Sequence, residues 1–93
     1  YMNLNFIYGT PMTAAGVVKA APGVLRGLII NSHTSGVIKI WDNASAASGT
    51  ALSSGNVTLA AGPQFVNLGD VYMKNGIYLN VISGTVDITP VYL

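Results

Sequence analysis

The sequence predicts an all-β fold, because its apolar residues recur at period two and no stretch shows a helical period with caps. Gly, Asn and Pro interrupt these runs at short intervals, as turns do. The chain has 93 residues, of which 51% are hydrophobic, which is enough for one two-layer core. We therefore expect a single domain over residues 1–93, built as one β-sandwich of about eight short antiparallel strands with jelly-roll-like connectivity.

The segments predicted as strands share alternating or β-branched residues. They cover residues 2–8, 14–20, 24–31, 37–42, 56–60, 64–68, 71–74, 77–82 and 85–92. Residues 32–36 end in Gly and predict a hairpin loop, and Ser83-Gly84 predicts the turn of a closing hairpin. Pro90 lies inside the last strand and cannot donate to a ladder, so we expect that strand at a sheet edge or bulged.

The charge content is unusually low. Four basic and three acidic residues make up 8% of the chain, against about 25% in an average soluble domain. Such a neutral surface is suited to being covered by neighbouring proteins, although hydration by Ser, Thr and Asn is an alternative explanation. The basic residues are scattered, so no nucleic-acid partner is expected. No apolar run is long enough to span a bilayer, so no membrane partner is expected either.

Few residues offer chemistry. The chain has no Cys and no Glu, and His33 is its single histidine, which we expect to be an exposed loop residue. Asp42 and Asp70 lie beside turns and are expected to cap them, whereas Asp87 should face solvent or a partner. Residues 42–45 offer a few oxygens to a calcium ion, but without a calcium-loop pattern. We expect no catalytic residue, cofactor, metal or small-molecule substrate.

The residues expected at protein contacts lie at the two ends of the chain and at the single tryptophan. Residues 1–22 are expected to include a strand or arm that contacts neighbours. Trp41 shares a strand face with Lys39 and is either a half-exposed anchor or a cap on the core. The predicted interface residues are Met2, Leu4, Phe6, Tyr8, Trp41 and Tyr92.

Two regions of the sequence resemble a known group of proteins. Residues 36–50 read GVIKIWDNASAASGT, and residues 84–92 read GTVDITPVY. This pattern resembles small virion structural proteins encoded by tailed bacteriophages and prophages, in which a strand ends in an Ile-Tyr-Asp-Asn-like run before a Ser-Gly-Thr loop. The likeness covers Gly23 to the C-terminus and not the first 22 residues. Trp41 stands where Tyr or Phe is expected.

The resemblance implies a non-enzymatic virion protein, foremost a capsid decoration or cement protein that stabilises the head. Its partners would be the major capsid protein and further copies of itself, as a homotrimer. It would be made in the cytoplasm of the bacterial host and reside on the capsid surface. The alternatives are a tail, fibre or head-fibre module, and a small carbohydrate-binding module that uses Trp41 with Tyr72 or Tyr78.

Overall fold

A computed structural model describes residues 5–93, and over this range all regular structure is β. Met2 and Leu4 of the predicted interface lie outside the described residues. The seven strands of the described range are β1 (Ile7–Tyr8), β2 (Gly16–Lys19), β3 (Gly23–Asp42), β4 (Thr50–Ala51), β5 (Val57–Thr58), β6 (Gln64–Met73) and β7 (Ile77–Tyr92). The radius of gyration is 12.3 Å, the value of about 12 Å expected for one compact domain of this length.

Two long strands form the centre of the sheet. β3 and β7 run antiparallel from the pair Leu25 and Tyr92 to the pair Trp41 and Tyr78. The two predicted hairpins are therefore wrong, because residues 32–36 and Ser83-Gly84 lie within these strands. Ser35 and Gly84 have positive φ angles of 50° and 79° where the register shifts. The residues that favour turns here make bulges that bend the ribbon, and a bulge uses the same backbone conformations as a turn.

The short strands pair along the outer edges of the two long ones. The free edge of β7 carries β1, an isolated bridge between Met12 and Ile88, and then β2. The free edge of β3 carries β6, β5 and β4. The result is one open antiparallel sheet, which confirms the all-β antiparallel class but does not confirm jelly-roll connectivity.

The sheet folds over on itself. β2 pairs with Ile77 at the start of β7, and only residues 20–22 separate it from β3, which begins beside the end of β7. The Lys19 Nζ donates to the carbonyl oxygen of Leu93 at 3.2 Å. Three connecting residues span at most about 14 Å, so the two ends of β7 must lie close together. The ribbon therefore bends between them, at the bulge around Gly84.

This bend gives the two halves of the ribbon a common core. Its buried hydrophobic residues come from both halves of β3 and β7, with one residue each from the segments before and within β6: Leu25, Leu28, Ile30, Ile38, Ile40, Leu59, Met73, Ile77, Leu79, Val86 and Ile88. The accessible surface is 5073 Å², against about 5,000 Å² for a folded monomer of this mass. The bent sheet therefore buries as much surface as a self-contained globular domain, in a sandwich-like arrangement.

Pro90 lies in a central strand and is fully buried, rather than at the outer edge of the sheet. Its carbonyl oxygen accepts the N–H of Gly9 at 2.9 Å, so the backbone groups of Pro90 point towards the N-terminal part of the chain and away from β3. The missing N–H therefore costs nothing in the β3–β7 ladder. The missing N–H affects only the pairing between β7 and the segment before β3. That segment separates from β7 just after β1 and pairs with it again at Met12.

Candidate protein-interaction face

One side of the sheet presents apolar and aromatic residues away from the core. It belongs to the half built from β1, β6, the first half of β3 and the second half of β7, and we call it the outer face. Cross-strand partners share a side of a sheet, so the register defines its members. They form three rows: Tyr8, Val91, Gly27 and Asn67; Thr89, Ile29 and Phe65; and Leu93, Val24 and Tyr72.

Aromatic residues stand at the margins of the outer face. Tyr8 is 78% exposed, Tyr72 61% and Phe65 50%, and Ile29 beside Phe65 is 38% exposed. The Phe65 ring lies over Gly27, where an added Cβ would collide with it, so glycine is needed for this close approach. Tyr and Phe combine large apolar area with few rotatable bonds, which makes them effective contact residues between proteins.

Two charged residues of this half, Arg26 and Asp70, form an ion pair. Residues 68–70 of β6 oppose Arg26 alone and form a bulge in which Gly69 and Asp70 have φ angles of 71° and 57°. This conformation directs Asp70 to Arg26, whose Nε lies 2.9 Å from Oδ1 and whose Nη2 lies 3.1 Å from Oδ2. The hydrogen bond from Arg26 lowers the pKa of Asp70 below its ordinary value. The pair Arg26 and Asp70 is thus neutral, and Asp87, which lies on the same side of β7 as Thr89, accepts a hydrogen bond from the Asn31 side chain at 3.1 Å.

The predicted interface residues are distributed over three environments. Tyr8 lies on the outer face and is strongly exposed. Phe6 is half-buried because the Arg26 guanidinium stacks 3.7 Å from its ring centroid. Tyr92 points the other way and packs against the core. Tyr8 is thus the member of the predicted set that is freely available to a partner on this face.

Trp41 lies in the other half of the sheet. It is half-buried between its neighbours Tyr78 and Ala51, and the Lys39 Nζ sits 4.9 Å from its ring centroid. The predicted sharing of one side by Lys39 and Trp41 is therefore confirmed. The Trp41 Nε1 is buried and has no hydrogen-bond partner among the described residues.

The Asp-Asn pair that follows Trp41 organises two loops. The Asp42 carboxylate accepts the backbone N–H groups of Lys74, Asn75 and Gly76 at 3.2, 2.7 and 3.4 Å. The Asn43 Oδ1 accepts the N–H of Ser45 at 2.8 Å and closes an Asx turn. The predicted capping role of Asp42 is confirmed. Within residues 5–93 no cluster of His, Asp or Glu side chains is arranged to hold a metal ion.

His33 is a half-buried strand residue, so the prediction that it lies in an exposed loop is wrong. Its Nδ1 accepts the N–H of Gly36 at 3.0 Å, and its Nε2–H donates to the carbonyl oxygen of Ala60. The first bond requires an unprotonated Nδ1, so the ring is held as the Nε2–H tautomer. Both nitrogens bind backbone, and the role of His33 here is to fasten residue 60 to the bulge of β3.

Sequence reasoning did not place Ile29, Phe65 and Asn67 on the same side of the sheet as Tyr8. The signal for Phe65 was its alternation with Val66 and Leu68, which places its ring on the side of the strand that carries Asn67. Nothing in the sequence, however, brings β1 and β6 to the same side of one sheet. Both pair with strands that are distant along the chain, so only the register joins them.

Three comparisons of the chain with known proteins found no match. No family model matches the chain, and searches of curated proteins and of solved structures find no match either. Separately, none of the described residues belongs to a helix long and apolar enough to cross a membrane. The site must therefore be interpreted from its own chemistry.

Proposed function

We propose that this chain is a non-enzymatic structural protein of a tailed-bacteriophage virion, which decorates and cements the head by binding the major capsid protein. The outer face is the observation that carries the proposal. It combines exposed aromatic residues at its margins with the mutually neutralised pair Arg26 and Asp70. The resemblance of residues 36–50 and 84–92 to phage virion proteins supplies the class of particle.

The physical argument concerns what such a surface can bind. The fully buried centres of protein interfaces are enriched in Tyr, Phe and Arg and depleted in Lys, Glu and Asp. The outer face shares the aromatic residues and the arginine of this composition, and the charge of Arg26 is paired with Asp70. A face without a deep cleft fits a protein surface better than a small molecule, since ligand pockets usually enclose about 300–1,000 Å³. Two clefts among the described residues have volumes of about 210 and 110 Å³, below that range.

Self-association completes the proposal. With 8% charged residues, copies of this chain repel one another weakly, so they can pack side by side on a capsid lattice. We propose a homotrimer on the capsid surface, assembled after synthesis in the cytoplasm of the bacterial host. A tail, fibre or head-fibre position would use the same chemistry and differs in the number of copies per particle.

Copy number per virion tests the proposal. Quantitative mass spectrometry of purified particles would measure this chain against the major capsid protein. A ratio that corresponds to hundreds of copies supports the decoration role. A few dozen copies or fewer would indicate that the chain belongs to the tail or fibres. Absence from the particles would refute the virion assignment.

A carbohydrate-binding module is the second candidate, because Trp41 and Tyr78 are cross-strand neighbours on one side of the sheet. Stacked aromatic rings are a common sugar platform, but here Lys39 sits against the Trp41 ring and Trp41 is half-buried. A glycan-binding assay with the wild-type chain and Trp41→Ala would decide this. Binding that Trp41→Ala abolishes would favour the sugar-binding function over the virion one.

A further inference from the structure

The segment before β3 is attached to the rest of the fold through one strand edge. This segment, residues 6–19, runs antiparallel along the free edge of β7 and is called the N-terminal segment below. It pairs at Ile7 with Tyr92, at Met12 with Ile88 and at Gly16 with Leu79. Within the described residues its strands pair with β7 alone.

This attachment is discontinuous. Pro90 has no N–H to offer, and the ladder breaks between Gly9 and Met12. It breaks again between Met12 and Gly16. A cleft of about 210 Å³ lies at this seam, lined by Gly9, Thr10, Met12, Val17, Val18, Pro90 and Tyr92. Packing is thus incomplete where the segment meets β7, and such seams are the parts of a fold that open most easily.

Simple detachment of the segment is nevertheless unfavourable. Met12 and Val18 pack against the core, and β7 would be left with a bare edge. A detached segment would expose both apolar surface and unpaired backbone groups. Once the seam opens, the favoured arrangement is therefore one in which the same segment of another copy pairs with the vacated edge of β7.

The connection to β3 is suited to such an exchange. Only Ala20, Ala21 and Pro22 join β2 to β3 across the folded ends of the ribbon. Pro22 fixes its own φ and biases Ala21 towards an extended conformation. Short hinges that reverse the chain favour the swapping of terminal elements, because straightening the hinge relieves its constraint.

We propose that the N-terminal segment exchanges between copies, so that it pairs with β7 of a neighbouring copy in the register seen here within one chain. This inference rests on the self-association in the proposed function and names the surface that carries it. The neighbouring copy supplies the Met12 and Val18 contacts and covers the edge of β7. Exchange thereby anchors each copy in the core of the next, without any additional docking surface.

Engineered cysteines test the exchange, because the natural chain contains none. Val17 and Tyr78 are register partners across the seam, so Val17→Cys/Tyr78→Cys places two thiols on the segment and on β7. The Cα separation of cross-strand partners permits a disulfide. Ile29→Cys/Phe65→Cys is the matched control, since it joins β3 to β6, which stay in one chain in both arrangements.

The full-length variants would be concentrated, oxidised, denatured and weighed intact without reductant. Exchange predicts disulfide-linked species of two or more chains from Val17→Cys/Tyr78→Cys, and only single chains with an internal disulfide from the control. A second preparation co-refolds the chain that carries Val17→Cys alone with the chain that carries Tyr78→Cys alone. Exchange predicts a disulfide between the two chains, from position 17 of one to position 78 of the other, visible by peptide mass.

The opposite results would overturn the exchange. An internal disulfide alone, in material that light scattering shows to be oligomeric, would refute exchange and leave self-association standing. An internal disulfide in monomeric material would refute both. Absence of any disulfide between positions 17 and 78 while the control forms its own would also refute exchange, because exchange preserves that pair. None of these results affects the virion assignment, which copy number decides separately.

Discussion

The two halves of the bent ribbon present different surfaces to solvent. In the half that contains β1 and β6, the outer face leaves Tyr8, Phe65 and Tyr72 exposed around a neutral ion pair. In the half that contains β2, β4 and β5, Trp41 is half-buried beside Lys39, and side chains of Asp42 and Asn43 fasten the adjoining loops. β3 and β7 run through both halves, and the two halves share one core.

The difference separates stabilising residues from residues available for contact. In the second half, the side chains of Asp42 and Asn43 bind backbone groups of the adjoining loops. These loops therefore cover part of that surface. In the first half Arg26 is paired with Asp70 and Asn31 with Asp87. The rings of Tyr8, Phe65 and Tyr72 are at least half exposed. Mutations should therefore act on stability in the second half and at the bend, and on binding in the first.

The largest effect on the free energy of unfolding is expected at the bend. Gly84 has a φ of 79°, and a Cβ there would collide with the backbone oxygens of Thr34 and Ser35. Gly84→Ala should cost more than about 3 kcal/mol, or prevent folding. Gly62→Ala is the control, because Gly62 has a φ of 85° but open space around it, and should cost about 1–2 kcal/mol. Equal losses in urea unfolding would show that contact at the bend is unimportant.

The next effect is expected at Asp42. Its carboxylate accepts three backbone N–H groups from residues 74–76, so Asp42→Ala should lower the free energy of unfolding by about 2 kcal/mol. Asp87→Ala is the comparison, because Asp87 accepts one bond, from the Asn31 side chain. It should cost less than about 1 kcal/mol. Urea unfolding of both variants checks this, and a larger loss for Asp87→Ala would contradict the assignment.

A smaller, pH-dependent effect is expected at the ion pair. Arg26 lowers the pKa of Asp70, so the folded state binds this proton more weakly than the unfolded chain does. The pair therefore stabilises the fold above the ordinary value of 3.8, and this stabilisation disappears as the pH falls through the lower folded-state pKa. The side chains are 43% and 40% exposed, so the contribution is small.

Thermal unfolding between pH 7 and pH 2 would measure this dependence. Asp70→Asn should remove that part of the acid-induced loss of stability, and Arg26→Gln should remove the same part. The double variant should lose no more than either single one, because the two residues act through one interaction. Additive losses would show that Asp70 and Arg26 stabilise the fold independently.

The smallest effect on stability, combined with a loss of binding, is expected on the outer face. Tyr8→Ser and Tyr72→Ser remove exposed rings, so each should change the free energy of unfolding by no more than about 0.5 kcal/mol. Together they should reduce the number of copies per particle at least about tenfold, as the loss of an interface anchor does. Ile82→Ser, at an exposed residue of the other half of β7, is the control. Unchanged incorporation of the Tyr8/Tyr72 variant would exclude the outer face as the docking surface.

Local sequence patterns predicted the strands well and their connections poorly. The alternation of Ile38 and Ile40 with Lys39 and Trp41 identified both sides of that strand correctly. The hairpins at residues 32–36 and 83–84 were wrong, because Gly and Ser in a left-handed conformation serve a bulge as well as a turn. Asp42 was correctly predicted to cap a turn, although its partners lie at residues 74–76, far along the chain.

The sequence by itself determined the all-β class, the low charge content, the lack of thiol chemistry and the two sides of the strand that contains Lys39 and Trp41. These properties depend on composition and on a two-residue period, which are local. Only the tertiary structure decided that β3 and β7 remain unbroken and fold over one core, and that Tyr8, Ile29 and Phe65 meet on one face. These outcomes depend on pairing between residues distant in the chain, where many registers are locally equivalent and burial of a single common core selects one.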